Sequence, residues 1–423
     1  MIFTNARIFT AEGYKKGRFR VEGGRFTDVI FEENEKAYAA VSSEAAASSH
    51  GISCTAEQKN DGSDAPVTDL EGKKVLPGLI DIHVHGAAGA DYSDGDPGGL
   101  RKMAAALAKC GVTSFLPTSM TLPAETLEEV FRETAADMKE QAEEGKMGSG
   151  AAAAGRDVRA RVLGIHMEGP FLSEAKKGAQ NGAYLKDPDP VLFTRLQAAA
   201  EGLIRTVCVA PELPGALSFI REASRHCTVS LAHTAADYET AARAFEAGAS
   251  HLTHLFNAMP GIHHRAPGVI GAAAERKAVF AELIADGIHV HPSAVRMAFS
   301  LFPGRIVLVS DAVRLLGLPE GSRMIFGGQE IILKDGAARL FDGSDGPYPT
   351  IAGAATSLFD DMKNVIRFGI PETEAILSAT ERPAASIGLK ETAGRIAAGG
   401  SADFLVCSEE LDLLNVFVGG EEV

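Results

Sequence analysis

The chain has 423 residues, 45% hydrophobic and 23% charged, the balance of a folded globular protein rather than a disordered or fibrous one. A formal net charge of −15 argues against a nucleic-acid partner, whose phosphates such a surface repels. Five cysteines with no C-x-x-C pair argue against a disulfide framework or a thiolate zinc site, and they fit a reducing, cytoplasmic setting.

The opening MIFTNARIFTAEGYKKGRF lacks the apolar stretch of a signal peptide. No uncharged apolar run approaches the ~20 residues that span a bilayer, so no membrane partner is expected. Residues 1–30 alternate apolar and polar, with breaks at Gly13 and Gly23-Gly24, and read as short antiparallel strands. Residues 31–66 are rich in Ala, Ser, Glu and Asn and read as an insertion, a weak helix or mobile loop without chemistry. Residues 143–157 have the same character.

From about residue 75 short Val/Ile/Leu-rich runs alternate with helical periodicity. Strand candidates are 75–86, 112–118, 160–169, 203–211, 227–234, 250–256, 279–287 and 305–312, with helical stretches such as GLRKMAAALAKC and YETAARAFEAG between them. That rhythm predicts an α/β chain folded as a (β/α)8, TIM-like barrel. After a helical region at about 356–390, the tail GRIAAGGSADFLV returns to strand-like alternation. The tail and the N-terminal strands are expected to form one small β-sandwich domain, residues 1–76 plus 394–423, beside a barrel of residues 77–393.

Barrel chemistry sits at the C-terminal ends of strands. His83 and His85 close the first predicted strand, Glu168 the third, His233 the fifth, His254 the sixth and Asp311 the eighth. Imidazoles and carboxylates together suit a divalent cation, zinc or iron, in a site that keeps a position open for water. The two imidazoles of H-x-H share a strand face because strands have period two. Asp311 is placed to move a proton. Neither a G-x-S-x-G elbow nor a Cys–His motif offers a nucleophile. A lone histidine at a strand end is usually a hydrogen-bonded structural residue, but four histidines and two carboxylates on one rim are not explained that way. His289 lies just past strand seven, whereas His291, His50 and His226 read as residues without a role in the site.

The motifs DIHVHG, HMEGPF, AHT, THLFNAM, IADGIHVH and SDA, in this order, strongly resemble the N-acetylglucosamine-6-phosphate deacetylases of the amidohydrolase superfamily. The resemblance covers nearly the whole chain outside the two insertions. It implies one or two divalent metals per subunit, with Glu168, His233 and His254 as core ligands, His83 and His85 serving a second position, and Asp311 as general base, then acid. It implies that His289 orients the acetamide and that Asn257 and Ala258 meet the sugar phosphate. Arg265 would pair with the phosphate, and Ala179 and the backbone of Ile351, Ala352 and Gly353 would line the sugar. The implied partner is a small amino-sugar phosphate, and the implied assembly a homodimer. The chain departs from the pattern at Gln180, where some members carry His. A deacetylase of N-acetylgalactosamine 6-phosphate, another amidohydrolase and a non-catalytic sugar-phosphate-binding protein are the rival readings. A dihydroorotase-like site needs a Lys at the end of strand four, where this chain reads CVAPEL.

Overall fold

The structure, a computed structural model, describes residues 1–33, 65–146, 158–341, 343 and 350–423. The expected insertion at 31–66 lies outside the described residues except at its ends, as do His50 and Cys54. Two boundaries move. Phe31 still pairs with Gly17 at the end of strand Arg25–Phe31, and residues 143–146 continue the helix Ala124–Lys146.

Among the described residues eight parallel stretches form the barrel wall: Leu79–Val84, Val112–Ser119, Arg161–Val162 with Ile165–Met167, Ile204–Val209, Thr228–Leu231, His251–Leu252, Phe280–Leu283 and Ile306–Leu308. Leu79–Val84 and Val112–Ser119 are buried at every position, as strands of a parallel sheet covered on both faces are, although both carry polar residues such as Asp81, His83 and Thr118. The first predicted strand is in fact two. Lys74–Pro77 belongs to the small sheet, and the barrel strand starts at Leu79. The seam between the last and first barrel strands is closed at its top, where the Asp311 N–H donates to the His83 carbonyl at 2.9 Å. Below, the Ser310 hydroxyl donates to the buried Asp81 carboxylate at 2.5 Å. Burial pushes Asp81 up to about 6, against the opposing hydrogen bonds from Ser310 and His83.

The helices start where local chemistry lets them. Pro97 opens Pro97–Lys109 after Asp96, whose carboxylate accepts the Gly98 N–H, and Asp237 caps Tyr238–Ala247 by accepting from Thr240. Both ends of the chain meet in one sheet, ordered Glu421–Glu422, Leu413–Val418, Phe404–Cys407, Lys74–Pro77, Ile2–Thr10, Gly13–Glu22, Arg25–Phe31, with Val67–Asp69 also on Ile2–Thr10. Phe404 fastens it, stacking on Phe417 at 4.4 Å and meeting Phe3 and Phe19 edge-on at 5.1 Å. Truncating it to Ala costs about 3–5 kcal/mol.

One element went unforeseen. Between strand eight and the terminal helices lies a four-stranded antiparallel sheet, Arg323–Phe326, Gln329–Lys334, Ala337–Leu340 and Ile351–Ala354. Its hairpin signals were present in the sequence: Gly327-Gly328 and Asp335-Gly336 are two-residue turns with positive φ at both positions. This sheet brings Phe326 and the 351–353 backbone over the barrel mouth.

Candidate active site

A cavity of about 340 Å³ opens at the C-terminal ends of the barrel strands, within the usual range for small-molecule sites. His85, Glu168, His233, His254, Asp311 and His289 line it. So do Ala179, Asn257, Ala258, Ile351, Ala352 and Gly353. His83 lies immediately behind, fully buried, with its Nε2 3.3 Å from that of His85. Arg265 is different: it is exposed, sits on a tight turn bridged between His263 and Ala266, and is not part of the cavity wall. Among the described residues that line the cavity, Lys176 is the one Lys or Arg. His291 is exposed and caps the helix Pro292–Leu301, and His226 is exposed beside Glu222.

His83 sits within its strand, and His85, Glu168, His233, His254 and Asp311 lie one to three positions past theirs; the last three have left-handed backbone, His233 at φ 42°, His254 at 28° and Asp311 at 48°. Each such conformation costs a non-glycine residue roughly 1–3 kcal/mol and persists where neighbours fix it. Here the neighbours do. The His254 peptide N–H meets Glu282 at 3.3 Å, Ser173 donates to the His233 carbonyl at 3.0 Å, and Asp311 exchanges backbone bonds with His83 and Ala354. Gly353 must be glycine: its φ is 151°, and a Cβ there would stand 2.5 Å from the Val313 side chain.

At the cavity the donor atoms form two triads, Glu168–His233–His254 and His83–His85–Asp311, and a third group, His83–His166–Glu282, lies beneath them. Glu168 joins the two triads. Its Oε1 is 3.2 Å from the Nε2 atoms of both His233 and His254, and its Oε2 is 3.3 Å from His85 Nε2. Asp311 Oδ1 stands 3.4 Å from His85 and 3.5 Å from His83. Second partners fix three of the rings. His233 Nδ1 donates to the Lys176 carbonyl at 2.8 Å, His85 Nδ1 to the Thr118 carbonyl at 3.1 Å, and His83 Nδ1 to Glu282 at 2.8 Å. In these three rings, when neutral, the Nε2 lone pairs therefore face one another or a carboxylate, acceptor against acceptor, with those of His83 and His85 3.3 Å apart. That arrangement fits a divalent cation in each triad.

The electrostatics agree. Burial opposes charge on His83, but Asp311, Glu282 and Glu168 outweigh it and push the ring up to about 9. His85 likewise rises to about 10, burial being overcome by Asp311 and Glu168. Asp311 falls to about 2 despite its burial, drawn down by His83 and His85, and the surrounding imidazoles hold Glu168 well below the carboxylate range against its burial. Protons on the rings balance this negative charge where a cation does not.

Two contacts escaped the sequence reading. Gln180 points its amide at the centre: Nε2 donates to Glu168 Oε2 at 2.7 Å while its carbonyl accepts the Thr121 N–H, also at 2.7 Å. Glu282, an acid inside the otherwise apolar run VFAELIA, meets His83. That interruption was the only signal for it. His289 has its own partner, Asp286, at 2.6 Å; burial would raise this carboxyl, but the His289 contact lowers it.

A (β/α)8 barrel with imidazoles and carboxylates nested at its mouth defines a metal-dependent hydrolase, and the chain belongs to the amidohydrolase family, which it matches over residues 74–423. It is 35% identical to the N-acetylglucosamine-6-phosphate deacetylase of Bacillus subtilis (strain 168), over 80% of this chain and 82% of that protein. It is 33% identical to the N-acetylgalactosamine-6-phosphate deacetylase of Escherichia coli O157:H7, over 84% of this chain and 89% of that one. A mutant of the N-acetyl-D-glucosamine-6-phosphate deacetylase from Mycobacterium smegmatis, solved in complex with N-acetyl-D-glucosamine-6-phosphate, superposes with a TM-score of 0.81 at 28% identity, covering 100% of this chain and 98% of that chain. Among the described residues no helix is long and apolar enough to cross a membrane.

Proposed function

We propose that this chain hydrolyses the acetamide of N-acetylglucosamine 6-phosphate to glucosamine 6-phosphate and acetate. The observation that carries the reading is the joined pair of triads at the cavity, with Asp311 facing the open space. Asp311 is also the most accessible of the six, its side chain 14% exposed against 9% for His233.

A divalent cation, zinc or iron by the donor set, would be held by Glu168, His233 and His254, a second by His83, His85 and Asp311. When bound it polarises an amide carbonyl and lowers the pKa of water from about 15.7 to roughly 7. The residues do the rest. Asp311, ionised at neutral pH, takes one proton from the attacking water as its oxygen bonds to the carbonyl carbon. It then gives that proton to the nitrogen as the C–N bond breaks, so the amine leaves neutral and acetic acid, keeping the water's other proton, stays behind and ionises to acetate. His289, braced by Asp286, orients the acetamide. Asn257, Ala258, Ala179 and the backbone at Ile351–Gly353 hold the sugar, and Arg265 meets the phosphate at the rim.

The N-acetylgalactosamine 6-phosphate reading stands beside this one, because a relative with that activity is similar at nearly the same identity. Acetate release measured on both sugar phosphates and on unphosphorylated N-acetylglucosamine decides between them. Metal-loaded protein that releases no acetate from either sugar phosphate overturns the proposal.

A further inference from the structure

Beneath the cavity the barrel carries a layer of polar side chains, all fully buried: His83, His166, Cys208, Ser230, His251, Thr253 and Glu282. The bonds among them have a direction. His166 Nδ1 donates to the Ile82 carbonyl at 2.8 Å, which leaves its Nε2 to accept from the Cys208 thiol at 3.2 Å. Cys208 is then left to accept from Thr253 at 3.3 Å, and Thr253 from Ser230 at 2.6 Å. Ser230 in turn accepts from His251 Nδ1 at 3.4 Å. Each thiol and hydroxyl hydrogen therefore points away from Glu282.

Glu282 is left with little. Among the described residues its Oε1 has no hydrogen-bond partner, with His251 Nδ1 at 3.5 Å, and its Oε2 takes only the His254 N–H at 3.3 Å and His83 Nδ1 at 2.8 Å. A fully buried carboxylate this poorly supplied is costly unless positive charge is close. The short contact is the one to His83, whose other nitrogen faces the cavity beside His85 and Asp311.

We infer that Glu282 is a positioning residue: through His83 it fixes the ring as the Nδ1–H tautomer and adds negative charge behind the Nε2 lone pair, so that it sets the cation affinity of the His83–His85–Asp311 position. A carboxylate behind a ligating imidazole raises the basicity of the ring, and losing such a partner weakens metal binding by roughly 10–100-fold. The inference rests on the two-position reading of the site and deepens it, since it makes the second position depend on a residue that touches neither substrate nor cation.

The test is cation binding without substrate. Metal-free protein is titrated with zinc against a competing chelator, and the affinities of the two equivalents are read separately, alongside the thermal midpoint. Glu282→Gln keeps a carbonyl oxygen facing His83 but removes the charge. It is expected to weaken one equivalent by roughly 10–100-fold and leave the other within a few-fold. Glu282→Leu removes the acceptor as well and should weaken the same equivalent at least as much. Unchanged affinities in Glu282→Gln overturn the inference. Equal weakening of both equivalents together with a lowered thermal midpoint also overturns it, since that makes Glu282 a support of the barrel. A single equivalent bound by the unsubstituted protein overturns it too, while the deacetylase reading is decided separately by acetate release.

Discussion

Replacing Asp311 with Asn separates proton transfer from the rest of the site. The carboxamide is nearly the same size, and its oxygen can still face His85 and His83, which now lie 3.4 and 3.5 Å from Asp311 Oδ1. What it loses is basicity: the two imidazoles hold the native carboxyl near 2 despite burial, so it is an ionised base at any working pH, whereas an amide accepts no proton. Positioned proton transfer is worth on the order of 10²–10⁴ in rate, or roughly 2.7–5.5 kcal/mol of barrier. The expected result is a fall in kcat of that size with KM changed only a few-fold. Because one negative charge also leaves the His83–His85 triad, metal content must be measured on the same samples and turnover read at saturating metal. A fall with intact metal content assigns the loss to the proton. Turnover within tenfold of the native enzyme at full metal content would remove Asp311 from the mechanism.

Three further outcomes follow from the same geometry. Replacing His83 with Asn and His85 with Gln together should leave one cation, held by Glu168, His233 and His254, and unchanged stoichiometry by elemental analysis would refute two positions. Because carboxylates push His83 and His85 up to about 9 and 10, both carry protons at neutral pH when no cation is bound. Cation binding should therefore tighten as pH rises from 6 towards 9 and release protons, seen as calorimetric heats that vary with buffer; heats independent of buffer would contradict it. Arg265→Met should lower kcat/KM for the phosphorylated sugar by no more than about fivefold, since an exposed pair is worth roughly 0–1 kcal/mol, and should spare unphosphorylated N-acetylglucosamine. A far larger loss confined to the phosphorylated sugar would mean that Arg265 is desolvated when substrate binds.

Much of the site was written locally in the sequence. The spacing of H-x-H puts two imidazoles on one strand face, and the alternation of apolar runs with helical stretches places each candidate at a strand end. Since barrel strands all present those ends to one mouth, His83, His85, Glu168, His233, His254 and Asp311 could be placed on one rim from local periodicity. The resemblance to known deacetylases added the positions proposed to face the sugar, and the structure sets Ala179, Asn257, Ala258 and Ile351–Gly353 in the cavity wall. It leaves Arg265 outside that wall, because the turn carrying it faces solvent. The Gln180–Glu168 bond, the His83–Glu282 pair and the directed layer under the cavity could not be read in advance. Each joins residues on different strands or loops, 199 positions apart in the case of His83 and Glu282. Strand period says which face a side chain takes; only closing the barrel, with its stagger and its tight backbone at His233, His254 and Asp311, says which side chain it meets there.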